Sequence, residues 1–294
     1  MTADHTAAPP REPFAARALA AMGRHGPLCV GLDPHPGLLD RWGLPDTPEG
    51  LERFSRAVVE AVAGRVAAVK PQAAFFERHG SRGVAVLETV LADLAGSGTL
   101  SVLDAKRGDI GSTMQAYAEA YLTDGAPLAA DALTVSPYLG YGSLAPAVDL
   151  ARATGRGLFV LALTSNPDGP QVQHAGSPPV AVQVARAAAA DNAGCHPLGP
   201  VGLVVGATVG EAPRRLGLDL EGLRGLLLAP GLGAQGAGPA DLRAVFGGAV
   251  GRVLVPVSRG VLAAGPGTAR LRAAVARLAA DLGEAGLAPG RHTD

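Results

Sequence analysis

The 294 residues suffice for one large domain or two small ones, and 48% hydrophobic against 17% charged residues supply a large apolar core. The formal net charge of −1 leaves no basic footprint for a nucleic acid or an anionic membrane surface as partner. A phosphorylated small molecule stays open as a ligand, because one arginine in a pocket is enough to hold it.

Taken in order, residues 1–11 read as a disordered tail without the apolar centre of a signal peptide. Glu12 to Met22 reads as a short helix lying across one end of the fold. Apolar, strand-like runs then recur at Leu28–Asp33, Ala67–Lys70, Leu100–Asp104, Ala132–Ser136, Leu158–Leu163, Val201–Val205, Leu226–Ala229 and Val253–Val257. Helical patterns lie between them at Leu51–Val62, Val84–Leu94, Ser112–Leu122, Leu144–Ala153, Val180–Ala190, Glu211–Leu216, Ala240–Phe246 and Thr268–Leu282. No apolar run approaches a membrane span. Cys29 and Cys195 make neither a disulfide framework nor a CxxC motif, Cys29 reads as a buried thiol, and a cytoplasmic protein is expected.

Strands apolar on both faces, alternating with helices, specify a parallel sheet. Eight units in roughly 250 residues have the count and size of an α/β (β/α)8 barrel, here a single domain over 12–283 with a C-terminal tail at 284–294. The competing architecture is a doubly wound open sheet, but the first turn, Asp33-Pro34-His35-Pro36, lacks its glycine fingerprint. Active sites of such barrels form at the C-terminal strand ends. Those ends carry Asp33, Lys70, Asp104 with Lys106, Ser136, Thr164 with Ser165, and Ser258 with Arg259. The charges come from strands one, two, three and eight, which are neighbours around a closed barrel.

Of 25 Lys+Arg only Lys70 and Lys106 are lysines, leaving 23 arginines, and both follow hydrophobic runs at strand ends. Burial can shift the pKa of a lysine, so it can give up a proton where arginine cannot. Alternation along a strand points Asp104 and Lys106 to the same face. Asp104, Lys106 and Asp109 form a D-x-K-x-x-D array beside Lys70, either structural ion pairs or a catalytic set able to hold an ammonium against a carbon that becomes negative. Asp109 either joins that array or caps the helix that follows. Gly231-Leu232-Gly233-Ala234-Gln235-Gly236 matches G-x-G-x-x-G, but after the seventh strand it reads as a mobile loop near a phosphate site, with Gln235 as an amide donor, or as a plain surface loop. Arg259 offers a bidentate phosphate contact beside the Gly260 N–H, or is a surface arginine paired with an acid. Thr164-Ser165-Asn166-Pro167 offers hydroxyls and an amide to a polar heterocycle, or forms a turn. The seven histidines show no metal-ligand spacing.

On these motifs the chain resembles the orotidine 5′-phosphate decarboxylases, in their longer bacterial form. The residues carrying the resemblance are Gly31-Leu32-Asp33, Val69-Lys70-Pro71-Gln72, the D-x-K-x-x-D-I-x-x-T segment from Asp104 to Thr113, Ser136-Pro137-Tyr138-Leu139-Gly140, Leu163-Thr164-Ser165, Pro230-Gly231-Leu232-Gly233 and Ser258-Arg259-Gly260. The resemblance implies decarboxylation of orotidine monophosphate to uridine monophosphate and CO2, no metal or organic cofactor, and a homodimer with shared active sites. By the same resemblance, Asp104 sits beside the substrate carboxylate, and Lys106 stabilises and protonates the C6 carbanion. Lys70 and Asp33 bind ribose, with Lys70 also holding Asp104. Asp109, Ile110 and Thr113 cross the dimer interface, Ser165 reads the pyrimidine, and Gln235, Arg259 and Gly260 take the phosphate. Three other readings compete. A metal-dependent sugar-phosphate decarboxylase or aldolase of the same superfamily is expected to have an acid where Lys70 stands. A catalytically silent nucleotide-binding barrel and a Schiff-base aldolase using Lys106 are the others.

Overall fold

The computed structural model describes residues 11–233 and 236–287. The expected tails therefore lie outside the described residues, apart from Arg11 and the segment 284–287, in which Leu287 is buried. Eight parallel strands close on themselves: β1 (Leu28–Leu32), β2 (Ala68–Pro71), β3 (Leu100–Arg107), β4 (Ala132–Val135), β5 (Gly157–Leu163), β6 (Val201–Val205), β7 (Leu227–Leu228) and β8 (Val253–Val257). β1 pairs with β8 through Leu28↔Val255 and Val30↔Val257, so the sheet is a closed barrel and the open-sheet alternative is excluded. No helix among the described residues is long and apolar enough to cross a membrane.

Side-chain alternation sorts the strands into two cores. Leu28, Val30, Leu32, Val253, Val255 and Val257 face outward and pack under the helices. Cys29, Ala68, Val102, Ala132, Phe159, Val204 and Leu254 face inward. The inner core is plugged at the N-terminal end by the helix Phe14–His25, whose Phe14, Ala18 and Met22 belong to the same cluster. Phe14 meets Phe159 edge-on at 6.0 Å. That plug begins and ends later than the expected Glu12–Met22, but it occupies the expected place at one end of the barrel.

Inward parity also places the polar residues. Two residues beyond the inward Ala68, Val102 and Ala132 stand Lys70, Asp104 and Thr134, where apolar filling gives way to charge at the C-terminal mouth. Strand three is longer than its apolar run suggests, since it continues past Asp104 to Arg107. Its pairing with β4 jumps from Leu103↔Leu133 to Arg107↔Val135, so Asp104, Ala105 and Lys106 bulge opposite the single residue Thr134. The simple alternation expected for Asp104 and Lys106 is thus replaced by a bulge, and Lys106 adopts a left-handed backbone with φ 48°.

Candidate active site

Asp104 is 9% exposed and lies between both lysines of the protein. Lys70 Nζ donates to its Oδ2 at 2.7 Å and Lys106 Nζ to its Oδ1 at 2.6 Å, while the Thr134 hydroxyl donates to Oδ1 at 2.9 Å. Burial alone pushes the carboxyl's pKa up, but the two ammoniums outweigh it and hold the pKa down to about 2. Burial likewise works against the charge on Lys70, which is 7% exposed, yet Asp104 first and Asp33 second keep its pKa above the usual lysine value. Beneath them Cys29 is fully buried, and burial pushes its thiol up to about 12. The Lys106 side chain, in contrast, is 46% exposed, so the ammonium of this pair is open to the mouth.

A buried ion cluster of this kind is an expensive way to stabilise a fold, because desolvation consumes most of the Coulomb gain. A left-handed lysine adds roughly 1–3 kcal/mol of backbone strain. Both costs fall on the same three residues, as expected of an arrangement retained for chemistry. The strand end is braced from outside. Arg107 donates to the Tyr121 hydroxyl at 3.1 and 3.2 Å and to Glu77, and sits against the rings of Tyr117 and Tyr121 at 5.6 and 5.7 Å. It thereby ties the bulge to the helices Ala74–Glu77 and Gly111–Leu122.

At the same C-terminal end of the barrel two buried polar atoms have no partner among the described residues. Asp33 follows β1, and its Oδ2 accepts from the Ser258 hydroxyl, while its buried Oδ1 has no partner. Gly31 makes that pair possible, because a Cβ there would lie 2.0 Å from Ser258 Oγ. After β5 the T-S-N motif divides its labour. Thr164 Oγ1 donates to Asn166 Oδ1 at 2.6 Å and accepts from Gln173 Nε2 at 2.6 Å, and its N–H donates to Gln173 Oε1 at 2.9 Å. Thr164 and Asn166 thus serve the turn, whereas the buried Ser165 Oγ is left without a partner. Gly206 leaves room for it, since a Cβ there would approach to 2.1 Å. Buried polar atoms are nearly always satisfied, so two orphans at the barrel end that carries the charged cluster suit a polar ligand.

The remaining expected residues fall into two groups. Asp109 is not joined to the Lys70–Asp104–Lys106 cluster within its own chain, and among the described residues its Oδ1 accepts from the Ile110 N–H, at 2.8 Å. It does not cap the following helix either: Ile110 holds the N-cap position, with no side-chain bond, so that alternative is corrected. Ile110 is 62% exposed and Thr113 is exposed as well. Gln235 lies outside the described residues. Arg259 and Gly260 begin the short helix Arg259–Leu262 after β8 and, with Leu232, Gly233 and Leu278, line a cavity of about 470 Å³. The loop after β7 and Arg259 therefore do meet in space.

Sequence reasoning missed Thr134, Gln173 and Arg107. Thr134 had a legible signal, its parity with Ala132, but the strand-four end was read as Ser136 while β4 stops at Val135. Gln173 and Arg107 act through tertiary contacts that no local pattern announces.

Comparison with known proteins agrees with this geometry. A family model described as orotidine 5′-phosphate decarboxylase / HUMPS family matches residues 26–274. The chain is 62% identical over 275 residues to the orotidine 5′-phosphate decarboxylase of Streptomyces coelicolor, covering 92% of this chain and 97% of that protein. Among solved structures it superposes on a candidate orotidine 5′-phosphate decarboxylase from Streptomyces avermitilis with TM-score 0.90 and 59% identity, covering 94% of this chain and 97% of that one. It also superposes on the Leishmania donovani OMP decarboxylase with TM-score 0.75 and 33% identity, covering 92% and 98%.

Proposed function

Since the chain belongs to the orotidine 5′-phosphate decarboxylase / HUMPS family, and its activity is decarboxylation of orotidine 5′-phosphate to uridine 5′-phosphate and CO2 in pyrimidine biosynthesis, we propose how its own residues perform that reaction. The observation that carries the proposal is a buried carboxylate, Asp104, held between two ammoniums. Two positive charges against one negative leave room for a second carboxylate, that of the substrate, next to Asp104. As the C6–carboxylate bond breaks, its electron pair stays on C6 and CO2 leaves. The Lys106 ammonium faces the developing carbanion and then passes a proton to C6, and the exposure of its side chain lets solvent reprotonate it. A unit charge about 4 Å away at an effective dielectric near 20 contributes roughly 4 kcal/mol, about a thousandfold in rate. Because the cluster is fixed before substrate arrives, little of that is lost to reorganisation.

Lys70 and Asp33 bind the ribose hydroxyls, with the unpartnered Asp33 Oδ1 as an acceptor, and the unpartnered Ser165 Oγ reads the pyrimidine edge. Arg259, Gly260 and Gln235 take the phosphate. Binding energy from the phosphate, remote from C6, is used to close the site. Asp109, Ile110 and Thr113 complete the site of a second copy in a homodimer. The exposure of Ile110, and of Tyr138 (77%) and Leu139 (53%) on the adjoining loop, supports that reading. The domain spans 12–283, and the setting is the cytoplasm, where the free thiols Cys29 and Cys195 stay reduced.

The test is turnover of orotidine 5′-phosphate by wild type and Lys106→Arg, each with and without a strong chelator. The wild type keeps its rate under chelation. Lys106→Arg keeps the charge but does not release a proton at neutral pH, so its kcat falls by at least roughly a hundredfold. A near wild-type rate for Lys106→Arg refutes the proton-donor role. Loss of wild-type activity on chelation refutes the metal-free mechanism and favours the chemistry of the sugar-phosphate branch.

A further inference from the structure

Thr134 is 1% exposed, in the middle of the site, and has no part in the mechanism above. It is the one residue of β4 that faces the three-residue bulge Asp104–Lys106. Its Oγ1 lies 3.0 Å from the Lys106 amide nitrogen and 2.9 Å from Asp104 Oδ1. The directions of both bonds are fixed by chemistry. An amide N–H can only donate, so the hydroxyl oxygen accepts from Lys106. An ionised carboxylate can only accept, so the single hydroxyl proton goes to Asp104. The ladder register breaks at this point, and the hydroxyl supplies the Lys106 N–H with the partner that a regular strand would have provided. One side chain therefore grips the left-handed backbone of Lys106 and also the carboxylate oxygen that its own ammonium contacts at 2.6 Å.

We propose that Thr134 is a positioning residue for proton transfer: its hydroxyl locks Lys106 into the bulged, left-handed conformation that aims the ammonium at the reacting carbon. The inference rests on Lys106 being the proton donor. It concerns rate more than affinity, because the Thr134 hydroxyl bonds Asp104 and Lys106, the groups assigned to the reacting carbon.

The experiment measures kcat and KM for orotidine 5′-phosphate in Thr134→Val, Thr134→Ser, Thr134→Ala and Lys106→Ala, with calorimetric binding of uridine 5′-phosphate as a check on the site. Displacing a reacting group by about an ångström costs on the order of a hundredfold. Thr134→Val, which keeps the shape and loses the hydroxyl, should lower kcat by roughly 30- to 100-fold, with KM and product binding within about threefold of wild type. Thr134→Ser should recover kcat to within roughly threefold, and Thr134→Ala should not. If Thr134→Val fails to fold, the Ser and Ala pair, both lacking the γ-methyl, decides the matter. Equal kcat for Ser and Ala, a wild-type kcat for Val, or a parallel loss of kcat and product binding would each overturn the proposal. Should Lys106→Ala itself turn over, the proton-donor assignment fails; if it is dead while Thr134→Val matches wild type, only the role of Thr134 fails.

Discussion

Asp104 is where the charges of the site are decided. Facing it are Lys70 from β2, Lys106 from its own strand, the Thr134 hydroxyl from β4 and the neutral Cys29. Its folded-state pKa of about 2 is below the ordinary value of 3.8, so it contributes stability that is present above about pH 4 and is lost as pH falls toward 2. At about 1.4 kcal/mol per unit the whole effect is roughly 2 kcal/mol, about half of it lost by pH 3. Urea unfolding of wild type and Asp104→Asn should therefore show a stability difference that is constant from about pH 6 to 4 and then shifts against the wild type below pH 4. A difference that stays flat down to pH 3 would mean that the carboxylate is not held by its ammonium partners. The residue types of this cluster are legible in the sequence, because two lysines among 23 arginines, both after apolar runs, ask for an explanation. Thr134 is not conspicuous in the same way, since threonine is ordinary in a strand and only its position opposite a bulge gives it meaning.

At the scale of elements, the eight apolar runs are readable because a parallel strand covered on both faces must be apolar throughout. Short pieces are not readable: Pro36–Arg41, Ala74–Glu77, Pro170–Gln173 and Arg259–Leu262 are too brief to show a helical period. The end of β3 is misjudged for a different reason. Charge at Asp104 looks like the end of a strand, but the chain continues to Arg107 because the bulge turns that charge into the lumen and Arg107 fastens the far side to Glu77 and Tyr121. The β8 end has its own prediction. Arg259 shares a cavity with the β7 loop, and an arginine–phosphate contact removed from one side costs about 2–5 kcal/mol, roughly 30- to several-thousandfold. Arg259→Ala should thus lower kcat/KM for the nucleotide by that range and scarcely affect the slow turnover of the unphosphorylated nucleoside, orotidine. Equal losses on both substrates would assign Arg259 to the fold or to the reacting end.

At the scale of the molecule, one chain supplies the barrel, the buried cluster and the polar orphans, but it keeps Asp109 apart from Lys106 and leaves Ile110, Tyr138 and Leu139 in solvent. The sequence motif places Asp109 three residues after Lys106, which suggests one continuous array; within one chain Lys106 pairs with Asp104, and Asp109 accepts from the Ile110 N–H. We propose that the array is completed across a two-fold interface, with Asp109 of one protomer serving the Lys106 of its partner. The direct measurement is activity after mixing two inactive variants, Lys106→Ala and Asp109→Ala, under conditions that exchange subunits, with exchange confirmed by native mass spectrometry. In each mixed dimer one site would regain both groups and the other would lack both, so a random equal mixture should recover about a quarter of wild-type activity. Confirmed subunit exchange with no recovery of turnover would contradict a shared active site.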